Sequence, residues 1–148
     1  MKWPNDVLLD GRKISGILLE SLSIKPQARG AIVVGIGVNL SSCPKETDFP
    51  GTALSSVCEP PPPQTALQQI MISFDTLYLQ WSTTGFRPIR ELWLSLAEGL
   101  NKVIQVKLPG RTVSGMFDTI SETGELQLIQ SDGKICKIAA GEVFFGQA

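Results

Sequence analysis

The sequence contains no histidine among its 148 residues. That absence excludes a Ser-His-Asp or Cys-His catalyst built from this chain alone. It equally excludes a His-ligated zinc or iron centre. Any acid, base or charge stabiliser must be Lys, Arg, Asp, Glu, Tyr or Cys. Cysteine is scarce: Cys43, Cys58 and Cys136 are an odd three at wide spacing, with no CxxC pair. A zinc knuckle and a thioredoxin-like redox motif are therefore not expected, and the low count suits a reducing, cytoplasmic setting. An apolar run of about 18 residues, the length that spans a membrane, is lacking. The opening Met1-Lys2-Trp3-Pro4 has no apolar core of a signal peptide, so none is expected there. Neither sign of charge dominates: 13 Lys and Arg stand against 14 Asp and Glu, a formal net charge of -1. That balance argues against binding nucleic acid or an anionic membrane by bulk electrostatics.

What is present is a hydrophobic fraction of 43%, enough for a packed core. Residues 7–40 are strand-like. Val7-Leu8-Leu9 is a short apolar run, Asp10-Gly11 is a hairpin signal, and a second run follows from Lys13 to Glu20. Pro26 to Gly30 reads as a turn. Ala31 to Leu40 is β-branched and almost wholly apolar, which predicts a central strand buried on both faces. Residues 41–64 are loop-rich and contain four consecutive prolines, Pro60 to Pro63, a polyproline II crossing. Leu67, Ile70, Met71, Phe74, Leu77, Tyr78 and Trp81 then recur at helical spacing, as do Ile89, Leu92, Trp93, Leu96 and Leu100. Both stripes predict helices packed into a core. From Val103 the period becomes two. Five short strands are expected at residues 103–108, 112–117, 125–130, 134–138 and 142–145, with turns at Pro109-Gly110, Gly124 and Asp132-Gly133. The pattern is α+β: a mixed sheet with helices over residues 1–101, then a small SH3-like barrel over residues 102–148.

Three features carry chemistry. Lys2-Trp3-Pro4-Asn5-Asp6 sets a cation, a large aromatic, an amide and a carboxylate around a proline that restricts its neighbours. A capped surface turn is the plainer reading of the same residues. Lys13 follows the Asp10-Gly11 turn. Strand periodicity places it on one face with Ser15, Ile17 and Leu19, either in a pocket or as a strand-end lysine with its stem on apolar surface. In Gly35-Ile36-Gly37-Val38-Asn39, period two puts both glycines and Asn39 on one face. Glycine inside a strand marks the close approach of another group, and an Asn at the end of that cleared face can pair with an adenine edge. Helix packing over the glycines, with Asn39 capping the strand, is the alternative. The motif is not a dinucleotide fingerprint, because it lies within a strand.

In order, Lys-Trp-Pro-Asn-Asp, Gly-Arg-Lys-Ile-Ser-Gly-Ile-Leu-Leu-Glu and Gly-Ile-Gly-Val-Asn-Leu make a series that resembles the biotin protein ligases. The resemblance implies the C-terminal part of a biotin/lipoate-ligase-type catalytic domain followed by an SH3-like domain. It implies a reaction in two steps: biotin and ATP, with magnesium, form biotinyl-5'-AMP, and a lysine of the biotin carboxyl carrier protein of acetyl-CoA carboxylase then displaces AMP. Lys13 matches the lysine that contacts the biotin carboxylate and acyl-phosphate oxygens, where a fixed cation stabilises developing charge. Asp6 matches the aspartate associated with magnesium and with the acceptor lysine. Lys2 and Asn5 would hold phosphates, and Asn39 would recognise adenine on the face cleared by Gly35 and Gly37. Gly16 would line the biotin pocket and Trp3 would form its wall. A homodimer through the catalytic sheet is a further implication. Such chemistry runs on positioning, cations and metal, so it needs no imidazole.

The sequence departs from the family at one point. The Gly-Arg-Gly-Arg type loop that lies upstream of Lys-Trp-Pro-Asn-Asp in these ligases does not occur in this chain. A portion of a longer protein is therefore expected, without a DNA-binding helix-turn-helix. The alternative function is a non-catalytic binding or interaction module.

Overall fold

The computed structural model describes residues 1–22, 31–45 and 49–145. The expected turn at Pro26 to Gly30 lies outside them. The chain divides into two compact units, one of residues 5–63 and one of residues 1–4 with 64–148.

The first unit is a three-stranded antiparallel sheet in the order β1 (Asp6–Leu9), β2 (Arg12–Leu22), β3 (Ala31–Val38). The β1–β2 turn uses positive φ at Asp10 and at Gly11 (49° and 73°), the backbone that an Asp-Gly hairpin supplies. β3 is not the doubly buried central strand that its apolar run predicts. It pairs with β2 alone among the named strands, and its residues from Ile32 to Val38 are exposed. The run sets strand propensity, but what covers a strand is decided by other segments.

β1 and β2 are out of simple register. Asp6 faces Gly16 and Val7 faces Ser15, then Leu8 faces Lys13, leaving Ile14 as an extra residue on β2. Such a bulge reverses the alternation beyond it. Directly opposed residues share a face, so Lys13 joins the face of Asp6 and Gly16 rather than that of Ser15.

The second unit contains α1 (Pro63–Thr84), α2 (Arg87–Ser95) and a five-stranded antiparallel sheet. Its strands are β4 (Val103–Leu108), β5 (Arg111–Ile120), β6 (Leu126–Ile129), β7 (Ile135–Ile138) and β8 (Glu142–Phe145), in the order β7-β6-β5-β4-β8. All five strands expected from the alternation are present. β5 runs three residues further than expected, past an irregularity between Phe117 and Thr119. Its inward residues make the core: Ile104, Val106, Phe117, Leu126, Leu128 and Val143 are almost fully buried. Trp93, Leu94, Ala97 and Leu100 pack against that core. Arg90 ties α2 to β5, its Nε donating to the Ile120 carbonyl and its Nη2 to the Thr119 hydroxyl, each at 2.6 Å. The two helical stripes fare differently from expectation. α1 buries none of its residues. In the second stripe Trp93 and Leu100 pack inward while Leu92 and Leu96 stay exposed.

Candidate active site

The bulge in β2 builds the site. With Lys13 turned onto the face of Asp6, its ammonium lies 2.5 Å from the Asp6 Oδ1. The Asp6 side chain is 11% exposed and that of Lys13 is 39% exposed, so the pair is open to solvent on the lysine side. Gly16 makes the arrangement sterically allowed. A Cβ there would stand 3.2 Å from both Cε and Nζ of Lys13 and 3.6 Å from Asp6 Oδ1. Gly37 lies directly across β2 from Gly16. Asp6, Gly16 and Gly37 therefore form one cross-strand row whose β2 and β3 members carry no side chain, beneath a lysine and a carboxylate. Gly35 continues the bare line along β3, opposite Leu18.

The backbone at Lys13 is held by a segment that sequence reasoning treated only as loop. Lys13 N donates to the Pro50 carbonyl at 2.8 Å, and Thr52 N donates to the Lys13 carbonyl at 2.9 Å. This short parallel bridge takes over where β3 ends. Arg12 Nε adds a bond to the Gly51 carbonyl at 3.0 Å. Asn39 sits at the junction. Its backbone N donates to the Ile14 carbonyl at 2.8 Å, and its side-chain Nδ2 donates to the carbonyls of Thr52 at 2.9 Å and Lys13 at 3.4 Å. A contact between residues 13 and 50–52 leaves no local signature, which is why Thr52 and Pro50 escaped the sequence reading.

The structure thus brings together Asp6, Lys13, Gly16, Gly37 and Asn39. Asn5 is exposed at the entry of β1, its Nδ2 donating to the Ile17 carbonyl at 2.6 Å. Lys2 and Trp3 belong to the other compact unit. Trp3 is 5% exposed within the core of the five-stranded sheet, its indole N–H donating to the Gly124 carbonyl at 3.1 Å. Lys2 is buried, with Nζ 6.0 Å from the centre of the Phe144 ring.

Residues 1–39, which hold this constellation apart from the 50–52 bridge, match the Biotin/lipoate A/B protein ligase family, and residues 99–146 match the Biotin protein ligase C terminal domain. The chain belongs to the biotin protein ligase family. A biotin--[acetyl-CoA-carboxylase] ligase of Paracoccus denitrificans is 37% identical, over 99% of this chain and 62% of its own length. The bifunctional ligase/repressor BirA of Bacillus subtilis is 33% identical, over 99% of this chain and 46% of its own. The biotin protein ligase of Aquifex aeolicus in complex with biotin and ATP superposes with a TM-score of 0.80 at 25% identity, covering 97% of this chain and 60% of that one. This chain therefore spans about half to two thirds of the length of these relatives. Its two-sheet α+β architecture is that of the biotin ligase fold.

Proposed function

We propose that the chain serves an ATP-dependent biotin ligase, forming biotinyl-5'-AMP and passing biotin to a lysine of a biotin carboxyl carrier protein. The observation that carries this reading is the Lys13–Asp6 pair above the Gly16–Gly37 floor, inside the stretch that matches the ligase family. The named relative from Paracoccus denitrificans acts on acetyl-CoA carboxylase, which supports that carrier as the partner. The resemblance also favours division of labour between residues 1–101, as the catalytic portion, and residues 102–148, as the SH3-like C-terminal domain. We place the protein in the cytoplasm, in keeping with its three free cysteines. Among the described residues no helix is long and apolar enough to cross a membrane. A second copy pairing through the sheet would make the homodimer that the resemblance implies.

In this reading the bare floor admits flat ligand atoms close to the backbone. Lys13 supplies a fixed positive charge where the biotin carboxylate attacks the α-phosphate of ATP and pyrophosphate leaves. The same ammonium then faces the mixed anhydride while the carrier amine attacks its acyl carbon. The new C–N bond forms, the C–O bond to phosphate breaks, AMP departs and the amine proton passes to solvent water. Asp6 holds Lys13 in place beforehand, and the ammonium exchanges that carboxylate for substrate oxygens. A magnesium ion needs few protein carboxylates and keeps much of its water, so the single, nearly buried Asp6 carboxylate fits it; bound there, it would neutralise phosphate charge. Lys2, Asn5, Gly35 and Asn39 are assigned to the nucleotide, and Trp3 and Gly16 to biotin, on the resemblance.

Biotin-dependent exchange of pyrophosphate into ATP by this 148-residue chain, followed by biotin transfer to a carrier domain, tests the proposal. Exchange that requires both biotin and Lys13 supports it. A folded chain that binds biotin or carrier without any exchange refutes catalysis by this chain and leaves a binding module.

A further inference from the structure

We infer that Asn39 is a positioning residue for Lys13, and that it presents only its side-chain oxygen to a nucleotide base. The inference rests on the ligase reading for its catalytic part and on geometry for the rest. A primary amide has two N–H donors and one oxygen acceptor. The Nδ2 of Asn39 lies within hydrogen-bond reach of two backbone carbonyls, Thr52 at 2.9 Å and Lys13 at 3.4 Å, one for each of its N–H groups. Two carbonyl oxygens around one atom fix that atom as nitrogen, since an oxygen there would be repelled by both. The main chain of Asn39 is held as well, N to the Ile14 carbonyl and O from the Leu54 amide, at 2.8 and 2.9 Å. Asn39 thus ties together three segments: the start of β2, the end of β3 and residues 50–54.

What this tie controls is the lysine. β3 stops pairing with β2 at Val38 and Ser15, two residues short of Lys13. Beyond that point the β2 backbone is anchored by residues 50–52, and Asn39 bonds to both partners of that bridge. Without its side chain, Lys13 itself would be tied to residues 50–52, among the described residues, by the Lys13–Pro50 and Thr52–Lys13 backbone bonds beside the exposed Arg12–Gly51 bond. The long stem of Lys13 amplifies any backbone rotation at its Cα into displacement at Nζ, away from Asp6. An asparagine held this way cannot donate to a base. Its oxygen can accept from an amino group, such as the exocyclic amine of adenine, and would repel a keto oxygen at the same place.

The test uses the whole chain with Asn39→Ala and with Asn39→Asp, which keeps the shape and removes both donors. Loss of two hydrogen bonds worth about 1.4 kcal/mol together corresponds to tenfold. Amide hydrogen exchange at Lys13 and Thr52 is expected to quicken about tenfold in both variants, with the five-stranded sheet unchanged. Unchanged exchange at Lys13 and Thr52 in both variants overturns the inference. In the pyrophosphate assay Asn39→Ala is expected to lower kcat about tenfold beside any rise in KM for ATP. In a Lys13→Ala background the further loss of kcat is expected to be less than about twofold, because groups acting through one another are not additive. Independent losses, or a rise in KM for ATP alone, reduce Asn39 to a base contact and overturn the positioning role. A wild-type chain without biotin-dependent exchange refutes the ligase reading by itself, and the amide exchange rates then decide the tie alone.

Discussion

The Lys13 ammonium, 2.5 Å from Asp6 Oδ1, lies over the bare backbone of Gly16: a Cβ there would stand 3.2 Å from Lys13 Nζ, so the lysine tip would have to shift by a few tenths of an ångström. The Gly16 backbone is ordinary extended strand, so alanine fits its dihedrals, and the crowded neighbour is the far end of a flexible side chain. Gly16→Ala should therefore leave stability unchanged or raise it by about 0.5 kcal/mol, the strand cost of glycine. It should also dislodge Lys13 and lower biotin-dependent exchange by about tenfold or more, as a misplaced charge does. Urea denaturation and initial rates on the same preparation separate the two effects. Full activity in a stable Gly16→Ala chain would show that the clearance is incidental.

Lys13→Ala addresses the charge itself. The pair is partly open to solvent on the lysine side, so its removal should cost about 1 kcal/mol of stability or less. Loss of transition-state stabilisation by one fixed donor is of order a hundredfold in kcat. Lys13→Arg keeps the charge but not the compact ammonium between Asp6 and Gly16, and should recover little. Activity that tracks charge alone, with arginine restoring the rate, would contradict the geometric role.

Trp3 carries two competing descriptions, a wall of the biotin pocket by resemblance and a core residue by position. Its indole N–H bonds the Gly124 carbonyl within the second compact unit. Trp3→Phe keeps most of the apolar volume and removes that bond, so a loss of about 1 kcal/mol is expected. Trp3→Ala empties a buried site and should cost about 3–5 kcal/mol. Calorimetric or urea measurements give these values. The KM for biotin of Trp3→Phe separates the descriptions: unchanged for a core residue, raised for a pocket wall.

Much of the second unit was legible because alternation is a local signal. β4, β6 and the first part of β5 bury alternate residues, and Gly110, Gly124 and Gly133 mark turns at positive φ. The chemistry-bearing residues were legible as a set, since their spacing along residues 2–39 resembles a family. Their geometry was not. Strict period two puts Lys13 with Ser15, and only the extra residue Ile14 returns it to Asp6. A bulge is chosen by pairing, which no single strand encodes. The same holds for β3 and α1. Their apolar residues were read as buried, yet Ile32 is 68% and Leu67 59% exposed. Apolar patterning says that a face seeks cover, not which segment provides it. The anchoring of Lys13 by Pro50 and Thr52 is likewise a non-local pairing across a stretch that reads as loop.

The five-stranded sheet offers a sharper test of packing, independent of any reaction. At Gly115 in β5 a Cβ would lie 2.8 Å from the Ile129 carbonyl oxygen and 3.0 Å from the Leu128 Cβ, both on neighbouring β6. The obstacle is partly main chain, which cannot swing aside as Lys13 does beside Gly16. Gly115→Ala should separate β5 from β6 locally and cost about 1–3 kcal/mol, the range for overpacking a filled core. At Gly11 nothing lies within 4 Å of the same added atom, but the φ of 73° disfavours any side chain. Gly11→Ala should cost about 1–2 kcal/mol from left-handed backbone alone. The pair separates the two origins of a glycine requirement. Gly115→Ala should lower urea stability and quicken amide exchange across β5 and β6. Gly11→Asn, which tolerates positive φ, should recover most of what Gly11→Ala loses, whereas Gly115→Asn should be worse than Gly115→Ala. Equal rescue by asparagine at both positions would mean that backbone conformation, not crowding by Ile129, governs the β5 site.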